Sequence, residues 1–379
     1  MSATDPAVKN ELSRHLAPAY TLTNLLRSEE SITSTLDLLF GWLDKFSTSG
    51  EAVHLSDWFT YTTSDVIGEV VFSKQFGFLR EGRDINSTIA NSHPQAAYVS
   101  VAGFFRWFHV ALLSNRFVTW LGITPWGHLI DTAMGAIAER QSRPDVERMD
   151  ALGHWLRMLE VSGGKMAEHE VRSAAFNAVA AGNETVATGL QAFVYYMIRC
   201  EGAWGRVREE VDRVEKAEGR DGGGVVEFAD AQKMVFLQAC IKEALRVFTP
   251  VPMGLPRVVG KGGLEISGYK AIPEGTTVSV STWVMHHSKE IWGEDASEFN
   301  PDRWFAEDAA SLEKYLVPFG MGYGSCPGQN IAKIELSKIC ATLVRDYDIR
   351  QVDESKEWTW KAYFTVVPEG WPIYVKKRE

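Results

Sequence analysis

The chain has 379 residues, of which 45% are apolar, 11% aromatic and 23% charged, a composition that excludes wholesale disorder. Lys and Arg number 39 against 49 Asp and Glu, a net charge of −10 that argues against a broad basic nucleic-acid surface. Four cysteines (Cys200, Cys240, Cys326 and Cys340) stand too far apart for a disulfide framework or a Cys-x-x-Cys metal site, and a reducing, intracellular setting is the simple reading.

The opening residues, MSATDPAVKNELSRHL, hold no apolar stretch of signal-peptide or anchor length. Helical spacing follows at Leu12, Leu16, Tyr20, Leu25 and Leu26, then over residues 31–46 and 55–72, with loops at 47–51 and 81–84. The apolar run 96–113 is interrupted by Gly103 and carries Arg106 and His109, so it reads as a buried or interface-lying segment rather than a membrane span. Residues 168–199 read as one long alanine-rich helix with a polar triplet, Asn183-Glu184-Thr185, in its middle. Helices follow over 203–216 and 231–248, the second stopped by Pro250 and Pro252. Short β-type runs lie at 257–259, 264–266 and 276–280, a last helix at 329–347, and a hairpin-like alternation at 358–375. The expectation is a mainly α fold with small β-sheets, in one domain over residues 1–379.

The most informative stretch is Phe319-Gly320-Met321-Gly322-Tyr323-Gly324-Ser325-Cys326-Pro327-Gly328, which fits Phe-x-x-Gly-x-x-x-Cys-x-Gly. At this chain's composition those four fixed positions coincide by chance in roughly one chain in 700 of this length. Glycines on both sides of a cysteine permit unusual backbone angles and close approach of a flat cofactor. A helix beginning just after Cys326 aims its amides at the sulfur and favours the thiolate. Upstream stand Glu243-Ala-Leu-Arg246 and Phe299-Asn300-Pro301-Asp302-Arg303-Trp304, and further upstream Ala181-Gly182-Asn183-Glu184-Thr185-Val186. Alone, the glutamate–arginine pair is a solvated i,i+3 contact worth a few tenths of a kcal/mol. An acid and a hydroxyl inside an alanine-rich helix are costly unless satisfied, for example by Thr185 bonding a carbonyl one turn back.

Together and in this order, the motifs resemble those of the cytochrome P450 family, the haem-thiolate monooxygenases. The resemblance implies haem b as cofactor, with Cys326 as the iron ligand in a loop shaped by Phe319, Gly320 and Gly328. A thiolate ligand donates electron density that favours O–O cleavage. It implies a buried structural network of Glu243, Arg246 and Arg303. It makes Thr185 and Glu184 the catalytic pair that handles dioxygen and protons, with Gly182 leaving a groove for dioxygen. Arg257 becomes the cation for a haem propionate, with Arg14 as a second. The partners implied are a small apolar organic substrate, O2, and an NADPH–cytochrome P450 reductase, so that NADPH acts indirectly; no nucleic acid is expected. The overall pattern is similar to fungal-type members of secondary metabolism or detoxification, which work at the endoplasmic reticulum membrane, although this anchorless chain reads as soluble or peripheral.

The sequence departs from the family pattern in several places. Gly324 stands where the family has arginine, Val186 where a second hydroxyl residue is frequent, and Lys9 and Ser13 where Trp or His and then Arg hold the propionates. Against the family's layout the chain begins late, as a P450 fold lacking its N-terminal helices and strands, on the order of a hundred residues. Those departures keep open a non-catalytic relic with weak or no haem binding. A metal-dependent hydrolase built on His286-His287 is disfavoured, because adjacent histidines point to different sides of an element.

Overall fold

Asp5 opens the first helix, α1 (Pro6–Leu16): its carboxylate accepts from the Ala7 amide at 2.7 Å, and Pro6 occupies the first turn, where no hydrogen bond is forfeited. The computed structural model describes residues 5–102, 105, 107, 127–142 and 150–379. Helix α2 (Glu29–Ser49) starts on two glutamates and ends on Gly50 at φ +70°. Helix α3 (Leu55–Phe72) is buried on nearly every face. Its Thr60 and Thr62 hydroxyls return to the carbonyls of Ser56 and Trp58, so these polar groups are satisfied inside the helix itself.

Helices α4 (Thr88–Ala102), α5 (Gly127–Ser142), α6 (Ala151–Val161), α7 (Glu168–Gly182), α8 (Glu184–Met197), α9 (Ala203–Ala217), α10 (Val235–Val247) and α11 (Gln329–Asp346) complete the long elements. At the centre α8 packs on α3, α10 and α11. Gly189 permits that closeness, since a Cβ there would lie 3.1 Å from Leu245 on α10 and 3.5 Å from Leu336 on α11. One apolar core runs from Leu16 to Val375, with a small satellite around Trp292, Ala296 and Leu312. Among the described residues no helix is long and apolar enough to cross a membrane.

Three two-stranded antiparallel sheets lie toward the C-terminus. They pair β1 (Arg257–Val258) with β2 (Thr277–Val278), β3 (Tyr347–Gln351) with β6 (Ile373–Lys377), and β4 (Thr359–Ala362) with β5 (Val366–Glu369). The mainly helical fold with small sheets is the one expected.

Four local readings are corrected. The helix over 168–199 is two helices, with Asn183 between them as the C-cap of α7 and the N-cap of α8. There its side chain accepts from the Glu184 amide, and its carbonyl accepts from the Thr63 hydroxyl at 2.7 Å. The alternation at 358–375 is not one hairpin: β4 and β5 form it, while β6 returns to β3, where Ile373 and Val375 reach the core. Tyr347 begins β3 instead of ending the last helix. The run 264–266 makes only a single bridge, Leu264 to Ile272. Of the apolar run 96–113, residues 96–102 close α4, and apart from 105 and 107 the remainder lies outside the described residues.

Candidate active site

The cysteine loop is built on two glycines in the left-handed region, Gly320 at φ +71° and Gly322 at φ +60°. These turns close the loop on itself. The Cys326 amide donates to the Phe319 carbonyl at 2.7 Å, the Ser325 amide to Gly322 at 3.1 Å, and the Gly320 amide to Val317 at 3.0 Å. Phe319 packs against the main core and anchors the loop's first residue. Gly328 is the N-cap of α11, and a Cβ there would sit 3.8 Å from the Cys326 sulfur.

Cys326 is the exposed free cysteine among the four; Cys240 and Cys340 are buried and Cys200 is half-buried. Protein packed behind the sulfur pushes its thiol up by desolvation, while the amides of Gly328 and Gln329 pull it down by favouring the thiolate. Among the described residues no group of three or more His, Cys, Asp and Glu could hold a metal. A lone cysteine sulfur suits a metal that brings its remaining ligands with it, as a porphyrin does. The donor set and the glycine-lined approach fit haem.

Position 324 shows how the missing arginine is accommodated. A Cβ on Gly324 would lie 2.5 Å from Nη2 of Arg257 and 3.6 Å from its Cζ, so the Arg257 side chain covers this glycine. Arg257 begins β1, and its Nη1 donates to the Pro256 carbonyl at 2.9 Å. The Arg14 side chain is 77% exposed on α1 and paired with Glu11 at 3.3 Å.

Glu243, Arg246 and Arg303 are brought together and buried. Arg246 grips both oxygens of Glu243 at 3.0 and 2.7 Å, and Arg303 Nε donates to Oε1 at 2.9 Å. Trp304 Nε1 and the Asn300 amide add 3.1 Å bonds to the same carboxylate. The remaining donors of Arg246 reach the carbonyls of His286, Ala296 and Glu298. Arg303 goes on to Trp292 and Asp295. Every charge has a partner, the condition under which a buried ionic group is tolerated. Of these partners Asn300 and Trp304 fall within a sequence motif; the carbonyls carry no residue-type signal.

His286 is wholly buried and accepts from the Val317 amide at 3.1 Å, while His287 Nδ1 bonds the Trp283 carbonyl and its ring stacks on Trp283. Burial first, then Arg246 and His287, pull the His286 imidazole down to about 4, so it is neutral at pH 7. His286 thus holds the segment leading to Cys326 and His287 packs on Trp283, an arrangement that does not favour the hydrolase reading.

On the break between α7 and α8, the Thr185 hydroxyl bonds the Ala181 carbonyl at 3.0 Å. Glu184 reaches two hydroxyls, Ser92 at 2.5 Å and Thr365 at 3.2 Å. Gly182, the last residue of α7, faces α3. A Cβ there would lie 2.9 Å from Ile67 on α3, so the glycine serves close helix packing. Ser92 and Thr365 had no signal in the sequence. Nor had buried Tyr20, whose carbonyl accepts from Asn330 near the start of α11 and so ties the segment after α1 to the cysteine helix.

Comparison with known proteins agrees with this geometry. The family model for cytochrome P450 matches residues 1–369. The cytochrome P450 monooxygenase cicH of Emericella nidulans is 27% identical over 382 residues, covering 99% of this chain and 76% of that one. Pisatin demethylase of Fusarium vanettenii is 30% identical over 96% of this chain and 70% of its own. The crystal structure of the cytochrome P450DA heme domain matches 97% of the chain with a TM-score of 0.80 at 19% identity. The chain belongs to the cytochrome P450 family, the haem-containing monooxygenases.

Proposed function

We propose that residues 1–379 form one domain that inserts one oxygen atom of O2 into a small apolar substrate, with electrons from NADPH through a reductase. Fungal secondary metabolism or detoxification is the setting that the similarity to the cicH monooxygenase and pisatin demethylase supports. The endoplasmic reticulum membrane is the expected location, by likeness to the family. The observation that carries the reading is the exposed Cys326 thiol inside its amide and glycine cradle, beside the Arg257 guanidinium.

Haem bound there would supply the oxygen activation, and a thiolate ligand favours O–O cleavage. Cys326 would hold the iron, with Phe319, Gly320 and Gly328 setting the loop's shape. Arg257 would hold a propionate by a charge-assisted, bidentate bond; Arg14, out in solvent, is left out of this role. Glu184 and Thr185 would deliver protons, an acid and an alcohol next to each other in sequence at a helix break. Glu243, Arg246 and Arg303 keep the segment before the loop in place and touch no substrate.

The test is reconstitution of the purified chain with haem, followed by oxidation of a panel of apolar aromatic and terpenoid compounds with NADPH and a fungal reductase. One haem per chain and NADPH-dependent oxygen insertion are expected. A folded chain that takes up no haem would favour the non-catalytic relic instead.

A further inference from the structure

The small sheet of β1 and β2 has an open edge along β2. Arg257 faces Val278 and Val258 faces Thr277, and the Val259 amide donates to the Thr276 carbonyl at 2.8 Å. Bonded and unbonded pairs alternate along an antiparallel ladder. The backbone groups of Thr276 and Val278 therefore turn toward β1, and those of Thr277 and Ser279 turn away from it. Thr277 and Ser279 are exposed, and their outward amides and carbonyls meet no other described residue. A sheet of two short strands gains little on its own.

Proteins blunt exposed strand edges with charge or proline, and the other strands here follow that rule. Strand β3 carries Asp348 and Arg350, β4 Lys361, β5 Pro368 and Glu369, and β6 Lys376 and Lys377. Strand β1 opens on Arg257, directly after Pro256, which has no amide hydrogen to offer a neighbour. From Gly275 to Met285 there is neither a charged residue nor a proline. Val278, Val280 and Val284 add branched apolar side chains to this run, with Val280 68% exposed. Among the described strands, β2 alone presents an unguarded edge.

The order of its residues points to the occupant. Thr277-Val278-Ser279 reads hydroxyl, apolar, hydroxyl in either direction. Turned about a two-fold axis at Val278, the strand lies antiparallel to its own copy. Thr277 then exchanges backbone bonds with Ser279 of the second copy, and Ser279 with its Thr277. Val278 meets Val278 on the axis, and no like charges face each other. The net charge of −10 opposes the approach of two copies, and this uncharged run is a place where they meet without local repulsion. Such a contact is self-complementary and closes at two, because each copy spends its open edge on the other.

We propose that two copies of this chain associate through β2, joining their two-stranded sheets into one four-stranded antiparallel sheet.

Sedimentation velocity of the purified full chain tests this, whether or not haem is bound. A species of twice the 42.3 kDa chain mass is expected, at concentrations of about 1 to 100 μM. Thr277→Lys with Ser279→Lys sets lysine against lysine on both sides of the axis and should weaken association about 100-fold or more. Both positions are exposed, so circular dichroism and thermal melting of the variant should match the wild type. Thr277→Glu with Ser279→Glu should likewise be monomeric, and mixing the lysine and glutamate chains should restore a dimer. Val161→Lys, at an exposed site on α6, should leave the wild-type dimer intact. A wild-type chain that is monomeric throughout this range would overturn the proposal, and its binding to phosphatidylcholine vesicles would then give the edge to a lipid surface. A dimer that survives the lysine pair, or lysine and glutamate chains that fail to associate when mixed, would equally overturn β2 as the contact.

Discussion

The guanidinium of Arg257 lies over Gly324, 2.5 Å from where that residue's Cβ would be. The family's arginine position is thus empty in sequence and covered in space by a cation from the first β-strand. Arg257→Ala should weaken haem binding about 10- to 100-fold, the range for one charge-assisted bond. Gly324→Arg in the same background should recover most of it. Gly324→Arg alone should recover nothing and lose some affinity, because two guanidinium groups then compete for one space. Absorbance titration of haem-free protein with haemin reads all four species, and an Arg257→Ala protein with unchanged affinity would remove Arg257 from the site.

Removing the carboxylate of Glu243 leaves two buried guanidinium groups, an indole N–H and a backbone amide without their acceptor. Glu243→Ala should cost about 3–5 kcal/mol of stability, as for other broken buried pairs. Urea unfolding followed by tryptophan fluorescence checks this. A loss under about 1 kcal/mol, the size of a surface pair, would show that the network is not holding this region.

Gly182 faces Ile67 so closely that a methyl group at 182 would overlap it. Gly182→Ala should cost about 1–3 kcal/mol as an overpacked site, and adding Ile67→Val should return part of the loss. Thermal melting of the single and double variants measures both effects. Equal destabilisation with and without Ile67→Val would place the cost in the helix break instead.

His286 gives a pH dependence with a definite sign. Its folded-state pKa is depressed to about 4 from 6.5, so the unfolded chain binds the proton more readily. Its contribution is complete above about pH 6.5 and is lost as pH falls toward about 4, with a slope approaching 1.4 kcal/mol per pH unit. His286→Gln keeps an acceptor for the Val317 amide and removes the titration. Urea midpoints between pH 7.5 and 5 should therefore fall less steeply in the variant than in the wild type. Parallel curves would contradict a neutral buried His286.

What could be read from the sequence was whatever carries its own spacing. Helix 55–72 shows its period, and Glu243, Arg246 and Arg303 stand in motifs whose offsets match the structure that gathers them. Gly324 was visible as a departure and Arg257 as the expected propionate cation, but not their contact. The break at Asn183 was hidden because its cause, Thr63, sits on another helix. The same holds for Ser92 and Thr365, which meet Glu184 only through tertiary packing. Strand β6 showed its alternation but not its partner, since propensity says that a strand forms and not what it pairs with.

The most direct test of the central claim, a haem held by the Cys326 thiolate, is the reduced, carbon-monoxide difference spectrum of the reconstituted chain. A band near about 450 nm that disappears in Cys326→Ala is the predicted result. Absence of that band from a folded, haem-loaded protein, or its survival in Cys326→Ala, would contradict it.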